Sequence, residues 1–136
     1  MKTQMIRNVS LGLLAVASMF AQEPHTINVS VPFGFHVGDT MLPAGRYAVD
    51  TQIAPHVVRV KSVDRSQSIV ILTHGVGMNP RGTQRRLIFN RYGDQYFLSQ
   101  VWTPAGYLGR ELFKTKREKQ EATNTHPTAE SIVAAK

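Results

Sequence analysis

The chain has 136 residues, no cysteine and a formal net charge of +7, from 16 basic and 9 acidic residues. That length supports one domain, and the missing cysteine excludes disulfides, thiol chemistry and a lipid-modified cysteine anchor together. Stability must then come from packing and hydrogen bonding alone.

The first residues, Met1 to Arg7, carry Lys2 and Arg7 and no acid; an apolar run from Val9 to Phe20 follows, interrupted by Ser10, Gly12 and Ser18. A positive segment, a short apolar segment and small residues form the signal-peptide pattern, placed here over residues 1–21. The apolar run is roughly a dozen residues, short of the ~20 that span a bilayer as a helix. Leu11, Leu13, Leu14, Val16 and Met19 encircle a helix instead of striping it, which argues against an amphipathic first helix of the domain. Cleavage is expected after Ala17, in Ala15-Val16-Ala17, or after Ala21, which leaves the better mature start although Met19 fits the −3 position poorly. The expected destination is the periplasm or the extracellular space, with no transmembrane segment in the mature chain.

Export changes what the charge means. Lys2 and Arg7 leave with the leader, so 14 basic residues face 9 acidic ones, a net +5. The excess is local: Arg46, Arg59, Lys61, Arg65, Arg81, Arg85, Arg86 and Arg91 face only Asp50 and Asp64 within that stretch. A basic surface in the cytoplasm would favour nucleic acid. Outside it, an anionic envelope component or a small ligand is the expected partner, and nucleic acid is not.

Along the body, Thr26 to Val31 alternates Ile27, Val29 and Val31 with polar residues, as a half-buried strand does. Pro32 interrupts the ladder, with Phe33 and Phe35 continuing the same parity up to a turn at Gly38-Asp39. The Pro43-Ala44-Gly45 turn opens a strand from Arg46 to about Ile53. Ala54-Pro55 breaks it, and Val57 to Val63 forms the next, closed by a hairpin loop at Asp64 to Gln67. Ser68 to Thr73 is apolar on both parities and is expected to be a central strand covered on both faces. His74 to Thr83 is read as a long glycine-containing loop. Gln84 to Tyr92 and Gln95 to Trp102 flank a Gly93-Asp94 turn, and after Pro104-Ala105-Gly106 a short strand from Gly109 to Phe113 ends the body. The expected fold is all-β, an antiparallel meander of about seven strands closed into a small barrel or folded as a sandwich, over residues 22–113. The charged segment 114–136 is expected to be a disordered tail carrying at most a short helix near Lys114 to Glu121.

Two segments together carry a resemblance. One is Val31-Pro32-Phe33-Gly34-Phe35-His36-Val37-Gly38 leading to Leu42-Pro43-Ala44-Gly45-Arg46-Tyr47; the other is Arg91-Tyr92-Gly93-Asp94-Gln95-Tyr96-Phe97-Leu98, then Trp102 and Gly109-Arg110-Glu111-Leu112. They resemble a group of small exported proteins of unknown function abundant in acidobacteria. Phe113 departs from that group, where Pro is expected. The resemblance implies compartment and fold class and assigns no functional residue.

The candidate chemistry is sparse. His25, His36, His56, His74 and His126 fall in none of the HxH, HxxxH or HExxH spacings, so neither a metal nor another cofactor is expected, although His36, His56 and His74 lie at strand ends or in loops and could meet at one rim. No G-x-S-x-G occurs, and His36 with Asp39 is the only close His/Asp pair. Gly75-Val76-Gly77 lacks the helix and Lys-Ser/Thr of a phosphate loop. A catalytic reading is therefore disfavoured, with a small envelope hydrolase as the weakest alternative. Arg81, Arg85 and Arg86 form the candidate anion-binding group, since clustered guanidiniums grip phosphate or carboxylate bidentately. Tyr92, Tyr96 and Trp102 are the candidate lining of a ligand mouth, and a lipocalin-like carrier of a small apolar ligand is the alternative that would use them.

Overall fold

A computed structural model describes residues 26–64, 66–78, 85–103 and 108–133. The expected signal peptide, both cleavage points and Arg81 lie outside the described residues. The strands are β1 Thr26–Val31, β2 Phe35–Val37, β3 Thr40–Leu42, β4 Gly45–Ala54, β5 Val57–Ser62, β6 Ser68–Met78, β7 Arg86–Tyr92, β8 Gln95–Trp102, β9 Leu108–Leu112 and β10 Thr128–Val133, with one helix, α1, at Lys116–Asn124. The fold is all-β with a short helix.

In the first half of the sheet, β1, β4, β5 and the start of β6 run antiparallel. Alternation decides their orientation: Ile27, Val29 and Val31 are buried while Asn28 and Ser30 are exposed, and Tyr47, Val49, Val58 and Val60 bury the matching face. Strand β6 then passes into the second half, pairing with β5 over Ser68 to Leu72 and with β9 from Thr73 to Met78. Beyond β9 comes β8, flanked by β7 and then β10 on its other side. The β2–β3 hairpin joins β8 through a single parallel contact, His36 opposite Phe97. Pro32 explains that contact. It ends β1, and the chain crosses from one half of the sheet to the other within three residues.

The two halves face each other across one core. Phe35 of β2 meets Tyr47 of β4 edge to face at 5.1 Å and Phe89 of β7 at 5.3 Å, and Phe33 meets Phe89 at 5.0 Å. The Tyr47 hydroxyl donates to the Pro43 carbonyl, tying β4 to the turn that precedes it. Among the described residues, no helix is long and apolar enough to cross a membrane.

Four expectations change. Among the described residues the sheet has ten strands, where about seven were expected; it is mixed, with β2 parallel to β8, and so is not a purely antiparallel meander, and it is not closed into a barrel. Strand β6 continues through Gly75 and Gly77, read as loop, because its backbone groups pair with β9 across a register shift between Val76 and Met78. Its 68–72 stretch is covered on one face only: Val70 and Leu72 are exposed. Finally, the segment expected to be a disordered tail carries β10 beyond the short helix expected there, which is present as α1. Glu118 docks the helix, and β10 completes β7 in register from Thr128 opposite Arg91 to Val133 opposite Arg86.

Candidate functional site

The β7–β8 hairpin carries most of the residues singled out from sequence, and its two faces have different fates. Leu87 and Phe89 of β7 enter the core, so Arg86, Ile88, Asn90 and Tyr92 project from the outer face. On β8 the register steps from Phe89 opposite Leu98 to Ile88 opposite Gln100, leaving Ser99 as a bulged residue. The extra residue changes the parity of β8. Tyr96 and Leu98 point to the core, whereas Gln100 and Trp102 join Phe97 on the outer face.

That bulge turns Trp102 away from the face of Tyr96, and strand alternation already sets Tyr92 opposite to Tyr96, so the three aromatics expected to share a ligand mouth do not converge. Tyr96 packs inward on Phe33, with centroids 3.7 Å apart, and lies under the Arg91 guanidinium at 5.3 Å. Tyr92 and Trp102 share the outer face but lie at opposite ends of the hairpin, since Tyr92 pairs with Gln95 and Trp102 with Arg86. Six strand residues separate those ends, about 20 Å. Trp102 rests on Gly109 of β9, where an added Cβ would come within 2.7 Å of the indole, so only glycine fits beneath the ring. The expected mouth is therefore not formed by these three residues.

At the Tyr92 end, α1 closes the outer face. Thr115 caps it, its Oγ1 accepting from the Glu118 amide at 3.1 Å. The Thr115-x-x-Glu118 spacing is that of a capping box, but the Glu118 carboxylate turns to the sheet. Its Oε2 accepts from the Tyr92 hydroxyl and from Asn90 Nδ2, both at 2.9 Å. Burial, the hydrogen bond to Glu118 and the Glu118 charge together push the Tyr92 pKa up to about 12. Phe97 meets Tyr92 edge to face at 5.7 Å and stacks on His36 at 4.4 Å. His36 Nε2 lies 3.0 Å from Gln95 Oε1, so His36 pairs with Gln95 and not with Asp39.

A second polar chain crosses the outer face between β8, β9 and β6. Trp102 Nε1 donates to Gln100 Oε1 at 2.9 Å, Gln100 Nε2 donates to Glu111 Oε2 at 2.8 Å, and Glu111 Oε1 lies 3.3 Å from His74 Nε2. His56 sits apart in the exposed β4–β5 turn with φ of 60°. The three histidines thus take separate places, and no group of three or more potential metal ligands occurs among the described residues.

The arginines divide just as sharply. Arg46 pairs with Asp64 at 2.7 Å, Arg59 with Asp50 at 3.1 Å and Arg91 with Glu130 at 3.5 Å. Much of the basic stretch is therefore already compensated. Arg46 also lines a shallow groove of about 260 Å³ with Asn28, Ser30, Tyr47 and Val63 at the β1–β4 end. Arg85 is half-buried and has a partner of its own. Arg86 is different: it is only 6% exposed, and its buried Nε has no hydrogen-bond partner. Its strand neighbours are Trp102 and Val133, which offer it no carboxylate.

Sequence spacing missed Asn90, Gln100, Glu111 and Glu118, which hold the two polar clusters. Only the Thr115-to-Glu118 interval carried a local signal, and it pointed to a helix start and not to a partner for Tyr92. No protein-family model, curated protein or solved structure matches the chain.

Proposed function

We propose that this chain is an exported, non-enzymatic binding module that takes an anionic envelope component at the Arg86 end of β7. One observation carries the reading: the Arg86 guanidinium is buried with its Nε unpartnered, while Arg46, Arg59 and Arg91 have carboxylates. A buried guanidinium N–H without an acceptor is costly, and a phosphate or carboxylate would supply the acceptor that Arg86 Nε lacks. The sequence places Arg85 next to it and Arg81 a few residues earlier. Export rests on the leader pattern of residues 1–21 and on the resemblance noted above. The carrier alternative calls for an enclosed cavity of at least ~300 Å³; the space between the halves instead holds the rings of Phe33, Phe35, Tyr47 and Phe89.

The binding test is co-sedimentation of the chain with vesicles of neutral phosphatidylcholine, with and without a phosphorylated glycolipid. Association is expected only with the anionic vesicles and should weaken as salt rises. Arg86→Met abolishes it, whereas Arg59→Gln, which removes a paired arginine, leaves it intact. Unchanged binding by Arg86→Met would sink the assignment. Export is tested separately by placing residues 1–25 ahead of a reporter that is active only outside the cytoplasm. The mass of the product then distinguishes cleavage after Ala17 from cleavage after Ala21.

A further inference from the structure

Strand β6 is apolar on both faces from Ile69 to Leu72, yet among the described residues only one of them is covered. Ile69 and Ile71 pack against the core, while Val70 and Leu72 stand 60% and 64% exposed on the outer face. Phe113, 59% exposed, lies beside them, its ring 4.8 Å from that of His74 on the same face.

Among the described residues, the same stretch is an open edge. Strand β5 pairs with Ser68 to Leu72 along one side, and β9 occupies the other side only from Thr73 onward. The Thr73 amide donates to the His56 carbonyl on the β5 side, at 2.8 Å. Backbone groups alternate sides along a strand, so those of Ser68, Val70 and Leu72 point away from β5. Between Ser66 and Thr73 there is no charge, proline or glycine, the devices that ordinarily keep an edge from pairing.

We propose that this edge pairs with the same edge of a second copy, antiparallel about a two-fold axis through Val70. The segment Ser68-Ile69-Val70-Ile71-Leu72 is self-complementary about its centre. Val70 faces Val70 of the second copy, Ile69 faces Ile71, and Ser68 faces Leu72, as an isologous contact requires. The outward-pointing backbone groups of the two Val70 residues fall opposite one another on the axis, so this pair exchanges both of its N–H···O=C bonds. Among the described residues of β5 and β6, charge does not oppose the contact. Arg59 is neutralised by Asp50, and the two copies of Lys61 sit on β5 strands three spacings apart, ~14 Å, beyond the ~8 Å screening length. Pairing brings Val70 and Leu72 of both copies together and sets Phe113 against the β5–β6 turn of the second copy.

Sedimentation velocity of the full chain over a wide concentration range tests this. A reversible dimer is expected, and Val70→Lys, which places like charges on the axis at an exposed position, should return it to a monomer with an unchanged far-UV spectrum. Because the chain has no cysteine, Val70→Cys provides an independent measure. Facing Cα atoms of a hydrogen-bonded pair lie about 5.5 Å apart, inside disulfide range. V70C should therefore cross-link under mild oxidation far faster than I53C, which lies off this edge. A native chain that sediments as a monomer throughout, a dimer that survives V70K, or equal cross-linking of V70C and I53C would each overturn the proposal.

Discussion

Glu118 and Tyr92 carry an unusual burden for two side chains. The helix they hold reads Lys-Arg-Glu-Lys-Gln-Glu-Ala-Thr-Asn and buries no residue except Glu118. Docking therefore rests on a carboxylate that accepts from a phenol and an amide, where an apolar stripe would be usual. Tyr92→Phe keeps the ring and deletes one donor, leaving the buried carboxylate short of a partner, and should cost ~1–3 kcal/mol in a urea titration. The same pair sets a pH response. The Tyr92 pKa rises from its ordinary value near 10 to about 12 on folding, so its stabilisation is complete below pH ~10 and is lost as pH climbs through ~12. Stability measured across that window should fall more steeply for the native chain than for Y92F. Identical slopes would separate Tyr92 from the effect. The facing groups are Glu118, Asn90 and, through Phe97, His36.

Thr115 acts on α1 as an element. Its Oγ1 satisfies the Glu118 amide at the start of a helix with little packing of its own. Thr115→Ala should cost about 1 kcal/mol, read as faster hydrogen exchange confined to residues 116–124 while the β1–β4–β5 amides stay protected. Equal acceleration in both regions would mean that the cap supports the whole sheet. Elements such as β1, β4 and β5 were legible because their period-2 burial is written locally, and Pro32 correctly marked where β1 stops. What sequence could not carry were facts of register. The bulge at Ser99 turns Trp102 away from the face Tyr96 shares, and nothing in Gln95 to Trp102 announces it. Gly75 and Gly77 read as loop because their strand character comes from β9. Glu118 is one charge among many in the 114–121 segment, and only the docking of α1 over β7 gives it Asn90 and Tyr92. Likewise Arg86 sat in a run of arginines with no mark to distinguish it, until pairing with Trp102 and Val133 buried it.

At the scale of the whole molecule, β10 decides whether β7 is an interior or an edge strand. It pairs with β7 from Arg86 to Arg91, and Ile132 packs against the shared core. A chain ended at Pro127 should unfold at lower temperature and scatter light on heating, because β7 then presents an open edge. A truncated chain that melts and remains as soluble as the full one would make β10 a mere appendage. Position along the chain gives β10 one more consequence. It emerges during synthesis only after every strand and helix described above it, so β7 stays unpaired on that side, and the core lacks Ile132, until those last residues arrive. Late completion of this kind leaves the β7 edge and part of the core open to association for as long as the last strand is missing.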